Sequence, residues 1–263
     1  MTNQIRILLS TILLALLPVA AHAELPDTVG ILTDDINEEG ELSLEIQANS
    51  TPHGANLDPS YPGEVLANHG IRLTPSLSIG LLEGLELTVS APVVRDNMGD
   101  SGTRLAGGRG RLTWIASEEE DKESHGYWGA STSLLLTKQE FEYGKTLWDA
   151  GLIGGYRTSS WHVVTNAFLS NGLANGLQQM APDYSLNTKL EHLVSNNTWV
   201  GAELYSSRAK SMTLDGIQWF TTNTLFATVE IERKKNSFQF GVGRGLNSIT
   251  DPWTLKLSVN MPL

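Results

Sequence analysis

The chain has 263 residues, 40% of them apolar, a formal net charge of −11 and no Cys. This length suggests one large domain or two small ones, and the apolar content excludes intrinsic disorder. The lack of Cys excludes disulfides, thiolate metal sites and Cys nucleophiles, and the acidic balance argues against nucleic acid as the main partner.

Residues 1–23 read as a secretory signal peptide. Arg6 gives the positive start, Ile7 to Leu17 an apolar stretch broken only by Ser10 and Thr11, and Ala21-His22-Ala23 a small-x-small cleavage site. The stretch is shorter than the roughly 20 residues a membrane-crossing helix needs, and Pro18 follows it. Residues 24–39 show no periodicity and read as a flexible lead-in. Nothing later has the length of a transmembrane helix. The exported chain is therefore soluble, or it spans a membrane as a barrel over residues 40–263.

From residue 40 the sequence alternates. Leu42, Leu44, Ile46 and Ala48 oppose Ser43, Glu45, Gln47 and Asn49; Ile71 to Leu81 and Leu85 to Val93 follow the same rule. Further runs lie at 112–116, 128–136, 148–156, 161–169, 184–190, 200–204, 225–231, 238–242 and 253–263. Successive strand side chains point to opposite faces, so these runs predict about twelve strands with one apolar and one wet face. The gaps sort by parity. Those at 82–84, 117–125, 158–160, 194–197 and 233–237 are mostly short, and those at 51–70, 95–108, 137–146, 170–182, 206–222 and 246–252 are mostly longer. Short turns at one end and long loops at the other belong to outer-membrane barrels, not to a secreted sandwich.

The two faces fit that reading. The wet face carries Glu45, Arg72, Glu86, Arg111, Asp149, Lys189, Glu191, Glu203, Glu230 and Lys256, with Arg109, Arg157, Glu232 and Arg244 on it or at the loop mouths. Trp128, Trp148, Trp161, Trp199 and Trp253 fall near strand starts, where interfacial aromatic girdles lie. The candidate site is the lumen wall of Glu45, Arg72, Glu86, Arg109, Arg111, Lys189, Glu191, Glu203, Glu230 and Lys256. Two readings of it stand open: a charged constriction along a solute path, or cross-strand ion pairs that plug and stiffen the lumen.

Other chemistry is sparse. His53, His69 and Asp58 share one predicted loop, but solvated histidines are the default there. His162 and His192 lie on predicted strands without a local nucleophile motif. Gly107-Gly108-Arg109-Gly110 lacks the Lys-Ser/Thr ending and the helix of a phosphate loop. Glu118 to Glu123 and Arg233-Lys234-Lys235 read as charged turns.

The stretch from Arg72-Leu73-Thr74-Pro75 through Gly80-Leu81-Leu82-Glu83-Gly84-Leu85-Glu86-Leu87 to Ala91-Pro92 resembles a family's leading hairpin. Gly40-Glu41-Leu42-Ser43-Leu44-Glu45 resembles its opening strand, and Gly243-Arg244-Gly245-Leu246 through Asp251-Pro252-Trp253 its closing hairpin. The family is that of the outer-membrane transporters labelled MetA-pathway of phenol degradation. The resemblance implies a barrel in the outer membrane and passage of small aromatic or other hydrophobic compounds, and it carries over no catalytic residue.

The expectation is an all-β, up-and-down antiparallel transmembrane barrel in the outer membrane of a Gram-negative bacterium, both termini periplasmic. Its partners are the membrane lipid and a small solute, with no cofactor, metal or catalytic residue. The expected function is passive passage of that solute. The alternatives are a structural barrel with a plugged lumen, a barrel-type lipid hydrolase and a soluble sandwich.

Overall fold

A computed structural model describes residues 30–54, 70–95, 102–117, 124–138, 140–141, 146–173, 180–213 and 216–263. The signal peptide, the first part of the lead-in, Asp58, His69 and the acidic run from Glu118 lie outside the described residues. The strands are β1 (Leu42–His53), β2 (Ile71–Leu82), β3 (Leu85–Ser90), β4 (Val93–Arg95), β5 (Arg104–Leu105), β6 (Gly107–Ser117) and β7 (Ser124–Thr137). They continue as β8 (Thr146–Thr158), β9 (Trp161–Gly172), β10 (Asp183–Ser195), β11 (Thr198–Thr213), β12 (Gly216–Arg233), β13 (Asn236–Gly245) and β14 (Trp253–Pro262).

Every pairing among them is antiparallel, and β1 pairs with both β14 and β2, so the sheet closes on itself. The ring has 12 strands. The short pieces β4, of three residues, and β5, of two, extend β3 and β6 past a break rather than adding members to the ring. The single strand expected over 85–93 is split at Ala91-Pro92, because Pro92 has no N–H to give the ladder. Beyond the break β4 pairs with β2, and Ala106 N donates to the Pro92 carbonyl at 2.8 Å.

The alternation has the predicted polarity. Leu77, Val89, Trp128, Leu152, Leu186 and Phe240 stand exposed on the outside, Leu152 at 66%. Ser131, Asn166, Lys189, Glu203 and Thr228 are buried on the inside. Apolar outside and polar inside is the inverse of a soluble domain and matches a sheet solvated by lipid. Closure also removes the free edges that an open sheet would leave unpaired in a bilayer.

Two local expectations change. The loop expected over 206–222 is instead a continuation of β11 and β12, paired as far as Thr213↔Gly216. Polar residues occupy both faces of this stretch, so no alternation marks it as strand. Trp199 does not join an interfacial girdle: it is 7% exposed, and its Nε1 donates to Glu232 Oε1 at 3.0 Å. It sits one residue out of step with outward Val200, and one step along a strand reverses the face. Trp128, Trp161 and Trp253 do face out, with Trp114 and Trp128 packed edge to face at 4.9 Å.

Candidate functional site

The lead-in enters the barrel. Glu39 bridges to Gly80 of β2, with Gly40 N donating to Gly80 O at 2.9 Å and Gly80 N to Glu41 O at 3.1 Å. A Cβ on Gly80 would overlap the backbone oxygens of Glu38 and Asn37, so only glycine allows this approach. Further in, Asn37 donates to Glu86 Oε2 from its backbone N at 3.0 Å and from its Nδ2 at 2.9 Å. Leu32 is held at both backbone groups by the Asn166 side chain, at 2.7 and 2.9 Å. Ile31, Leu32 and Ile36 pack against an apolar cluster of Ile115, Tyr127, Ile153 and Val164. Residues 31–39 thus fill the short-turn half of the lumen, which corrects the flexible lead-in read from the sequence.

Asp34 is the polar centre of this segment. Its carboxylate accepts from Arg157 Nη2 at 2.7 Å and Nε at 3.1 Å, and lies 2.9 Å from His125 Nε2. Beside it, His162 is 0% exposed; its Nε2 lies 2.7 Å from Tyr127 Oη and its Nδ1 2.8 Å from Glu191 Oε1. The network continues along the wall. Lys189 pairs with Glu191 at 2.8 Å and Glu230 at 3.1 Å. Gln239 Nε2 reaches both Glu230 and Glu203 at 3.3 Å. Glu203 accepts from Lys256 and from the Tyr205 hydroxyl. Buried charges persist when paired and fully hydrogen-bonded, and each member of this chain has such a partner.

The predicted lumen residues divide accordingly. Lys189, Glu191, Glu203, Glu230 and Lys256 form one connected cluster. Glu86 holds the lead-in, and Glu45 accepts from Gln47 Nε2 at 2.9 Å and Ser258 Oγ at 2.6 Å. Arg72, Arg109 and Arg111 lie inward on β2 and β6; Asn49 of β1 registers with both Arg72 and Lys256, and Arg111 lies beside Thr88 and Ser133. Arg244 does not line the lumen. It is outward on β13, its guanidinium 4.9 Å over the Trp253 ring, because inward parity there belongs to Gly243.

Among the described residues, neither strand histidine meets a serine hydroxyl. Both His162 nitrogens are taken as above, and His192 stacks on Trp161 at 4.3 Å with its Nδ1 2.8 Å from the Ser160 carbonyl. Gly107 to Gly110 belong to β6. Asp34, Asn37, His125, Tyr127 and Asn166 were not singled out by the sequence. The lead-in half of this group has no periodicity, and the strand half shows only as inward-parity residues among many.

No protein-family model matches the chain, and no curated protein matches it in sequence. Among solved structures it resembles the COG4313 outer membrane channel from Pseudomonas putida F1, with a TM-score of 0.58 and 14% identity, covering 90% of this chain and 100% of that one. It also resembles the KdgM porin in complex with disordered oligogalacturonate, with a TM-score of 0.54 and 10% identity, covering 83% and 97%. At such identities the likeness is one of fold. The chain has the fold of the outer-membrane β-barrels, and the phenol-degradation label finds no support in these likenesses.

Proposed function

We propose that the protein is an outer-membrane channel for passive passage of a small solute, exported through the segment 1–23, with long loops outward and both termini periplasmic. The observation that carries this is the closed ring with an apolar outer belt and a charged inner wall. The two solved structures of like fold are a channel and a porin. Selection falls to the inner wall of Glu45, Arg72, Glu86, Arg109, Arg111, Lys189, Glu191, Glu203, Glu230 and Lys256. The solute class proposed is small and hydrophobic or aromatic, as the resemblance implies; Tyr205 and Phe226, edge to face at 5.5 Å, give that wall an aromatic component.

A second reading has its own observation. Residues 31–39 lie within the ring and an ion-pair chain runs along its inner wall, as a plugged structural barrel requires. Planar-bilayer recording of the intact protein and of a variant lacking residues 30–38 separates the two. Conductance from both supports the channel, and conductance only from the truncated form supports the plug. Silence from both would sink the channel reading. Swelling of liposomes in small aromatic acids against sugars of equal size tests the solute class.

A further inference from the structure

The outward positions of the strands carry charge of one sign. Among the described residues they hold no carboxylate. Arg95, Arg208 and Arg244 lie exposed at the long-loop end, and Arg233 lies at the short-turn end. None of the three long-loop arginines forms an ion pair among the described residues. Arg208 is the most elaborated. Its Nη1 donates to the Tyr184 hydroxyl at 3.1 Å, and its guanidinium lies 5.6 Å from the Trp219 ring centre and 6.0 Å from that of Tyr184. The two rings and the hydroxyl hold the guanidinium in place, and the hydroxyl takes one of its five N–H donors. Neighbouring Lys210 is not available in the same way, because its amine is tied to Asp183 at 3.2 Å.

Tyr184 also lines an apolar depression of about 880 Å³ on the outer wall. Its floor is made by small residues at outward positions of three successive strands, Ala130, Ala150 and Ala167, and Trp114 and Leu186 stand at its sides. One feature therefore runs from the apolar trough, through Tyr184, to a guanidinium that has no ion-pair partner among the described residues.

We infer that this feature binds a phosphate-bearing acyl glycolipid of the outer leaflet, an acyl chain in the trough and a phosphate on Arg208. Arg pairs with phosphate in a bidentate, charge-assisted way, and a chain in the trough contributes by apolar burial. The assignment to the outer leaflet rests on the proposed orientation, long loops outward.

The test uses the full-length barrel purified in detergent, with native mass spectrometry as readout. The probes are bisphosphorylated lipid A, the same lipid dephosphorylated, and phosphatidylglycerol. Retention is expected for the bisphosphorylated lipid alone. Arg208→Gln should cut it about tenfold, the loss of one charge-assisted contact. Ala150→Phe, which fills the trough, should cut it too, and both variants should keep the heat-dependent gel shift of a closed barrel. Equal retention by wild type and Arg208→Gln overturns the proposal. So does equal retention of phosphatidylglycerol, which assigns the site to phospholipid. A protein dimer abolished by Ala150→Phe overturns it as well, making the trough a contact between copies. Labelling of Lys234→Cys in intact cells by a membrane-impermeant maleimide would overturn the orientation, and with it the outer-leaflet assignment, independently of binding in detergent.

Discussion

Arg157 grips Asp34 side-on, Nη2 to Oδ1 at 2.7 Å and Nε to Oδ2 at 3.1 Å, joining β8 to a segment 123 residues earlier in the chain. Both edges of the carboxylate meet the guanidinium fork, the geometry that gives such pairs direction as well as strength. Asp35 adds a second acceptor at 2.7 Å, but its side chain is 71% exposed and contributes little. The pair is thus one of several anchors that hold the lead-in inside the ring.

Asp34→Asn should loosen that anchor by about 2 kcal/mol, the usual worth of a hydrogen bond to a charged group. The expected readout is faster proteolysis within residues 30–40 and larger or more frequent openings in bilayer recordings. Unchanged proteolysis and recordings would mean the segment is held by its apolar contacts instead.

The same pair sets a pH dependence. Burial pushes the Asp34 carboxyl up, but Arg157, helped by His125, outweighs it and holds the group below its ordinary value of 3.8. A depressed carboxylate contributes stability that is complete above the ordinary value and is lost as pH falls through the lowered one. The lead-in should stay docked from neutral pH down to about 4 and loosen below that. Limited proteolysis across pH 7 to 3 checks it; loosening near pH 6 would assign control to a histidine.

Gly80→Ala places a methyl group where the Glu38 and Asn37 carbonyl oxygens lie. The ring is expected to survive, because Gly80 lies near the end of β2. The lead-in should lift from β2, exposing it to protease and breaking the Asn37 bonds to Glu86. A variant with wild-type protection would show that the segment can shift along the wall without detaching.

Lys256→Met leaves Glu203, 1% exposed, without its cation. Stranding a buried charge costs about 3–5 kcal/mol, so the urea midpoint in detergent should drop sharply. Lys256→Met combined with Glu203→Gln should recover part of the loss, since nothing charged is left stranded. Equal midpoints for single and double variants would show that the lumen stays wet enough at this depth to solvate the carboxylate.

The ring was legible because lipid and lumen impose opposite demands on alternate residues. Leu85, Leu87 and Val89 against Glu86 and Thr88 state both demands within one short strand. The pattern faded where a demand was missing. In 206–222 polar residues stand at both parities of the sequence, so paired strand reads as loop. In 30–39 the backbone is not strand, and what orders it is the inward sides of strands far along the chain, such as Asn166 and Arg157. Inward residues were found by parity, but their partners depend on stagger around the ring. That is why Lys189, Glu191 and Glu230 could be placed in the lumen without being paired, and why Arg244, one step off, was placed on the wrong side.

The pairing of β1 with β14, from Ser43↔Pro262 to His53↔Trp253, makes the closure of the ring a contact between its first and last strands. Apart from the split between β3 and β6, every strand from β2 to β14 pairs with the one before it, so a growing sheet can curl progressively, but its closing seam waits on β14. A chain truncated before Trp253 does not become a slightly smaller barrel. It leaves β1 and β13 as open edges, each a template for another chain, and the product is an aggregation-prone sheet that a bilayer will not accept.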